Sequence, residues 1–449
     1  MKAAIIVLGC PKNIVESEYI LAILKDGGFQ IVSDLQEADI AIVHTCSFID
    51  SARKESEKTI RDLIDIKEKK DGNLKIFVSG CLPQLLKESM LTKFPQIDGY
   101  IGTGSLDKLQ NIIKSQKQNI SQFSFKAGGL NYSKGRILSS NLAYAYLKIA
   151  EGCNHKCSFC IIPDLRGKYI SRSESSLLNE AKQLAAAGIK ELIIIAQDTT
   201  SYGIDLYNAF VLDKLLVKLS KIKEISRIRL LYAYPNSITD DLLKVISERE
   251  NICKYMDIPV QHISKKILSL MRRPLNTRKI IEKISENYPQ IVLRTSFITG
   301  FPQETKQDVK ELLSFIKEGH FQYGGVFKYS DNKEALSSIL AGHIAQKEAQ
   351  ERKVLIENAQ YDIFKTKIEN LKGKEIEVIT ENCRQKDNNW TIAARSDFQS
   401  PEIDGSTIFK SPSPIPIGSF AKVKIISNSG YNIKAAAVIP LYGGVAGRA

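Results

Sequence analysis

EGCNHKCSFCIIP, residues 151–163, places Cys153, Cys157 and Cys160 on a short loop behind the apolar run YAYLKIA. Cys thiolates are the ligands of iron–sulfur clusters, and three of them this close can hold three irons of a four-iron cluster and leave the fourth open to another ligand. The alternative is a closed zinc site in which His155 completes a Cys3His set. Zinc sites usually draw their ligands in pairs from two segments, whereas this loop stands alone.

Outward from the loop, six strand-like runs alternate with helical ones: YAYLKIA, ELIIIA, RIRLLYAY, YMDIPVQ, IVLRTSFITGF and GGVFKYS. That alternation implies right-handed crossovers and a parallel sheet. Functional groups of parallel α/β folds sit at the carboxyl ends of strands. Gln197, Asp198, Tyr234, Gln261, His262, Thr299 and Gly300 fall there, and each is read either as a cofactor contact or as a polar group that caps the local backbone. RGKYISR, residues 166–172, brings Arg166, Lys168 and Arg172, read as a solvated basic turn or as cations facing a carboxylate.

Residues 1–116 repeat the strand–helix alternation with AAIIVLG, DIAIVHT and KIFVSG, a small parallel α/β unit. Cys10, Cys46 and Cys81 each follow one of these three strands. Singly, each would be a small buried hydrophobe. In an open parallel sheet all carboxyl ends lie along one edge, where ligands bind, so the three thiols are expected to converge.

Residues 117–141 are polar and Gly- and Ser-containing, and read as a linker. A helical pattern without Gly or Pro runs from Ala345 to Leu371. After Gly373, EIEVITE, NWTIAARS, STIFK, FAKVKIISNSG and NIKAAAVIP predict a small antiparallel barrel of about five strands. Nine Lys and Arg against seven Asp and Glu from 374 to 449 do not make it a strongly basic module. Trp390, the only tryptophan, suits a substrate platform or core packing.

A chain of 449 residues suggests two or three domains. Its longest apolar runs fall short of the roughly 20 residues of a membrane span. MKAAIIVLGC imitates a short lipoprotein signal but reads better as a strand entering a turn, and no targeting or membrane association is expected. Eight scattered cysteines suggest free thiols in the reducing cytoplasm rather than a disulfide framework. The formal charge of +13 favours surroundings rich in phosphate.

The Cys-x-x-x-Cys-x-x-Cys spacing with Phe159 before the last thiol resembles the signature of the radical S-adenosylmethionine (SAM) enzymes. GCPKN (9–13), HTCSF around Cys46 and SGCLPQ around Cys81 are similar to the three cysteine segments of the methylthiotransferases. With EGCNHKCSFCIIPDLRGKYISR, LLYAYP and MDIPVQHIS, the chain most resembles the RimO type of that family. The resemblance implies an N-terminal methylthiotransferase domain (1–116), a linker (117–141) and an incomplete (β/α)6 radical-SAM barrel with its long C-terminal helix (142–372). A TRAM domain, an OB-like barrel (373–440), and a tail (441–449) would follow.

It further implies two 4Fe-4S clusters, one on Cys10, Cys46 and Cys81 and one on Cys153, Cys157 and Cys160. SAM would bind the second, in a pocket for which Gln197, Asp198, Tyr234, Gln261 and His262 are the candidates. SAM would serve both as methyl donor and, cleaved reductively, as radical source. The implied reaction methylthiolates the β-carbon of an aspartate in small-subunit ribosomal protein twelve, with electrons from a donor protein such as flavodoxin or ferredoxin. The alternative substrate is a tRNA adenosine. A non-catalytic two-cluster electron carrier is disfavoured, because carriers have fully ligated clusters and each of these sites offers three thiolates.

Overall fold

Runs rich in Ile, Val and Leu become the strands of two parallel sheets, since β-branched side chains pack well on a surface covered on both faces. The computed structural model of the chain describes residues 1–115, 120–122, 135–139, 143–386 and 389–438. In the first sheet the strands lie in the order Gln30–Ile31, Lys2–Val7, Ile40–Thr45, Lys75–Gly80, Gly99–Gly102, Ile120–Gln122, every neighbour parallel. Ile40–Thr45, near the middle, is buried at every position.

The three expected strands are the longest of the six. Gln30–Ile31 and Gly99–Gly102 were not foreseen, being two and four residues long. Ile120–Gln122 falls inside the segment expected to be a linker and instead extends the sheet beside Gly99–Gly102. Gly135–Ser139, also in that segment, run between the two α/β units: Ile137 N donates to the Glu18 carbonyl at 3.1 Å and Arg136 Nη2 to the Tyr146 carbonyl at 2.6 Å. The rest of that expected linker, and the expected tail, lie outside the described residues.

All six expected strands of the central unit form one parallel sheet in the order Phe321–Lys328, Val292–Thr299, Ile252–Asp257, Arg227–Leu230, Glu191–Ile195, Tyr144–Lys148. Its first and last strands do not pair, so the barrel is incomplete. Outer helices bury one stripe each. Leu212–Leu219 turns Leu212, Leu215, Leu216 and Leu219 inward, the i, i+3, i+4, i+7 pattern of a helix lying on a sheet. Thr305 and Asp308 form a reciprocal capping box that starts the helix Lys306–Lys317. The long helix Gln346–Leu371 packs along Phe321–Lys328, where Gln360 Nε2 donates to the Phe321 carbonyl at 3.2 Å.

The C-terminal strands Glu375–Lys386, Asn389–Ser396, Thr407–Ser411, Phe420–Ser429 and Asn432–Ala437 close a barrel. It is not wholly antiparallel as expected: Thr407–Ser411 pairs in parallel with Asn432–Ala437, the contact that closes the ring. Trp390 is half-buried against the core of this barrel. Arg395 grips Glu191 with both Nη atoms, at 3.1 and 2.9 Å, and Arg227 donates to the carbonyls of Arg395 and Glu377 at 3.0 and 2.9 Å. Glu191 and Arg227 are the first residues of their strands, so the small barrel covers the amino-terminal rim of the large one, opposite the cysteine loop. Among the described residues no helix is long and apolar enough to cross a membrane.

Candidate active site: two cysteine sets across one interface

Each thiol of the first unit sits directly behind a parallel strand. Cys10 caps the helix Pro11–Asp26, Cys81 starts the helix Cys81–Leu86, and Cys46 follows Ile40–Thr45. Gly9, at φ +96°, makes their approach possible: a Cβ there would stand 2.5 Å from Cys46 Cβ and 3.0 Å from its sulfur. The three feel one another's charge. Burial raises the pKa of Cys46 and pushes that of Cys81 to about 12. Backbone N–H groups of Phe48 and Ser47 reach Cys46, and Arg166 Nη2 donates to Cys81 Sγ at 3.4 Å. The inward N–H groups and the guanidinium pull against that burial, which prevails in the bare thiols, and they act in the direction that binding to iron requires.

In the second set, Gly152 at φ +76° lets the loop pass against residues 167–168, where a Cβ would stand 2.2 Å from the Lys168 carbonyl oxygen. Ser158 pins the loop centre, donating from N to the Met271 carbonyl at 3.0 Å and accepting Ser337 N at 2.8 Å. Phe159 packs with Ile267, Met271, Phe301 and Tyr329. Burial pushes the thiols of Cys153 and Cys160 up to about 12. Ile162 N approaches Cys160 Sγ at 3.5 Å, and Arg273 Nη1 approaches Cys157 Sγ at 3.9 Å. The donor set and its cationic neighbour fit an anionic cluster of iron and sulfur.

The zinc alternative, with His155 as fourth ligand, finds no converged ligand set among the described residues. Nε2 of His155 meets Asp198 Oδ2 at 2.7 Å, and its ring lies flat on Tyr234, centroids 3.5 Å apart. Four ligands about 2 Å from one ion would have to converge on a point, and among the described residues no group of three or more His, Cys, Asp and Glu does so. A four-iron cluster spreads its thiolates over separate irons and needs no such convergence.

The other candidates separate into those beside the loop and those away from it. Tyr234 carries the Arg273 guanidinium 4.4 Å from its ring centre as well as His155. Asp198 is buried. Burial alone would raise its pKa, but hydrogen bonds from His155, Ser201 and Thr200 outweigh that and hold it low, so it serves as the anchor for His155. Gln197 Nε2 donates to Glu151 Oε1 at 2.5 Å, while its Oε1 is buried without a protein partner among the described residues, a free acceptor beside the loop. Gln261, at φ +69°, is tied through its backbone to Ser296 and Ile298.

His262 does not open on the site at all. It is 0% exposed, its Nδ1 accepts the N–H groups of Ile263 and Ser264, and its Nε2 faces Glu304 at 3.4 Å. Thr299 Oγ1 and Gly300 N donate to the same Glu304, which Arg352 also holds. These residues brace a strand end.

Reading 166–172 as a solvated basic turn holds only for Lys168, which is exposed. Arg172 is buried against Glu180 at 2.6 Å. Arg166, 4% exposed, joins the two cysteine sets. Its Nη1 meets Glu16 and Glu151, and its Nη2 meets Asn13 at 2.9 Å as well as Cys81. Lys148 completes the array at 2.8 Å from Glu16 and 2.7 Å from Glu151, and His44 Nε2 lies 3.0 Å from Glu16. Burial would raise the pKa of Glu16, but Arg166 and Lys148 together hold it well below the usual carboxylate range. Glu151 adjoins Gly152 and Cys153, so one buried ionic array runs from the first cysteine set to the second. Sequence reasoning missed Glu16, Lys148, Glu151 and Arg273, because nothing local marks an acid on a helix for a partner in another unit.

Residues 2–102 match the family described as "Uncharacterized protein family UPF0004", residues 147–316 the radical SAM superfamily and residues 373–438 the TRAM domain. The likeness to a solved radical SAM methyltransferase, TsrM from Kitasatospora setae, is one of fold: TM-score 0.51 and 13% identity over 73% of this chain and 74% of that one. The ribosomal protein uS12 methylthiotransferase RimO of Endomicrobium trichonymphae is 58% identical over 96% of this chain and 97% of its own. That of Clostridioides difficile (strain 630) is 40% identical over 96% and 98%. With such relatives aligned along nearly its whole length, the chain belongs to the RimO family of radical SAM methylthiotransferases.

Proposed function

We propose that the protein adds a methylthio group to the β-carbon of an aspartate in ribosomal protein uS12, with SAM as methyl donor and radical source. Relatives named for uS12 methylthiolation support this along nearly the whole chain. The observation that carries it furthest is the facing of two three-cysteine sets across one buried ionic array. A reaction that must remove hydrogen from a carbon and deliver sulfur to that carbon needs both sites within reach of one substrate atom.

In this reading Cys153, Cys157 and Cys160 hold one four-iron cluster, with SAM, and Cys10, Cys46 and Cys81 hold a second. When bound, these groups supply the radical that breaks a C–H bond too weakly acidic for a side-chain base, and the sulfur that replaces the hydrogen. The chain's own residues position and shield. Arg273 and Arg166 offset negative charge at the two sets, and Asp198 fixes the His155 ring against Tyr234. Gln197 Oε1 and Tyr234 are the polar groups offered to SAM. Tyr144, Tyr146, Tyr255 and Tyr323, buried in the shared core, keep water from the barrel interior. Residues 1–116, 142–372 and 373–440 act as three units in the cytoplasm, reduced by a small donor protein such as flavodoxin or ferredoxin.

The test is to offer anaerobically reconstituted enzyme, SAM and a reductant both a uS12 loop peptide and tRNA. Mass spectrometry is expected to find one methylthio group on the peptide aspartate. Modified tRNA adenosine with untouched peptide would replace this reading with the tRNA one.

A further inference from the structure

Lys12 is the one polar residue of the GCPKN stretch whose side chain the site described above does not use. It lies in the first turn of the helix Pro11–Asp26, where a cation opposes the helix dipole, so helix stability does not explain it. Its side chain crosses from the first unit to the barrel mouth. The ammonium nitrogen stands 3.5 Å from the ring centre of Tyr232, which follows the barrel strand Arg227–Leu230 and has a φ of +61°.

Two carboxylates, Glu151 and Asp257, are near enough for their charge to reach Lys12. Both are already committed. Glu151 is held by Lys148, Arg166 and Gln197, and Asp257 by Arg294 Nη1 at 2.8 Å. Among the described residues no carboxylate lies within ion-pair distance of Lys12, and the Tyr232 ring is its electrostatic partner. Cys10, two residues back, is the other group whose negative charge reaches it, and like the ring it forms no ion pair with the ammonium, so this half-buried cation has capacity for one more anion. It is two residues from Cys10 and faces the mouth that holds Cys153, Cys157 and Cys160.

We propose that Lys12 receives the side-chain carboxylate of the substrate aspartate and so presents its β-carbon between the two cysteine sets. This rests on the aspartate reading above and deepens it: Lys12 is the specificity-determining residue for an acidic side chain. A carboxylate bound end-on leaves the adjacent carbon exposed to both sites, whereas a neutral amide forfeits the charge-assisted hydrogen bond.

The test is a binding isotherm, without turnover, of a labelled uS12 loop peptide and its Asp→Asn counterpart to the iron-loaded enzyme under anaerobic conditions. The parent is expected to bind the Asp peptide about 10- to 100-fold tighter than the Asn peptide, the range of a charge-assisted bond withdrawn from water. Lys12→Met is expected to bind both at the weaker affinity, and Lys12→Arg to keep most of the preference. Iron per chain is measured for each variant, and Lys12→Gln carries the comparison if Lys12→Met fails to load. A loaded variant without the lysine charge that keeps the parent's preference overturns the proposal while leaving the aspartate reading intact. So does a parent that binds both peptides equally. A parent that binds neither overturns the aspartate reading and this inference together.

Discussion

The two cysteine sets differ in how they are made. Cys153, Cys157 and Cys160 lie within eight residues, on a loop that Gly152, Ser158 and Phe159 fix locally. Cys10, Cys46 and Cys81 come from three strand ends and meet only because the sheet brings those ends to one edge. The first kind of site needs a loop and a barrel to sit on. The second exists only in the folded domain, and its guanidinium comes from the neighbouring unit, since Arg166 belongs to the barrel. Mutations at the shared interface should therefore injure the sheet-edge set more than the loop set.

The largest effect is expected at Arg166. Arg166→Leu leaves Glu16 and Glu151 buried with Lys148 as their remaining strong cation, and removing one partner from a buried ion pair costs about 3–5 kcal/mol. Differential scanning calorimetry should show that loss, and iron should leave the Cys10/Cys46/Cys81 set first. Equal loss from both sets would break the contrast.

Next comes the far end of the barrel, which touches neither set. Glu191 titrates at about 2 in the folded chain: burial would raise it, but Arg395 and Arg229 prevail. Its folded pKa lies below its unfolded value near 4.3, so its contribution, on the order of 3 kcal/mol, is complete above about pH 4.5. That contribution falls away as the pH drops through about 2. Thermal midpoints of the parent and Glu191→Gln should differ at pH 7 and converge in acid. A difference that persists unchanged at pH 2 would contradict the assignment.

Asp198→Asn sharpens the comparison from the loop side. It weakens the anchor that holds the His155 ring against Tyr234 beside the loop and should lower the rate of SAM cleavage about 10- to 100-fold, what a lost hydrogen bond to a charged group is worth, while the sheet-edge set keeps its iron. Smallest of all is Lys168→Ala, two residues from Arg166 but exposed, for which chemical denaturation should register less than about 0.5 kcal/mol.

The same contrast explains what the sequence could reveal. The loop spacing and the long apolar strands are local signals, and the structure carries all of those strands. Gly99–Gly102, with two glycines, has little strand propensity and pairs because Lys75–Gly80 offers an edge. Ile120–Gln122 then pairs on Gly99–Gly102, so a segment that composition marked as linker became sheet. Arg166 reads as part of a basic turn because its partner Glu16 is 150 positions away. His262 reads as a site residue from its place at a strand end, and only its contacts with Ile263, Ser264 and Glu304 reveal a brace. The parallel pairing of Thr407–Ser411 with Asn432–Ala437 is set by ring closure, which no local pattern encodes.

In the proposed function the two sets hold separate clusters with separate tasks. The most direct measurement replaces Cys10, Cys46 and Cys81 together by Ala and follows iron, 5′-deoxyadenosine and methylthiolated peptide in one anaerobic assay. The parent should carry about eight irons per chain, two four-iron clusters' worth. The triple variant should carry about half of that, still form 5′-deoxyadenosine under reducing conditions and make no methylthiolated peptide. A triple variant that makes methylthiolated peptide at the parent rate would contradict the account, because those three cysteines would then be packing alone.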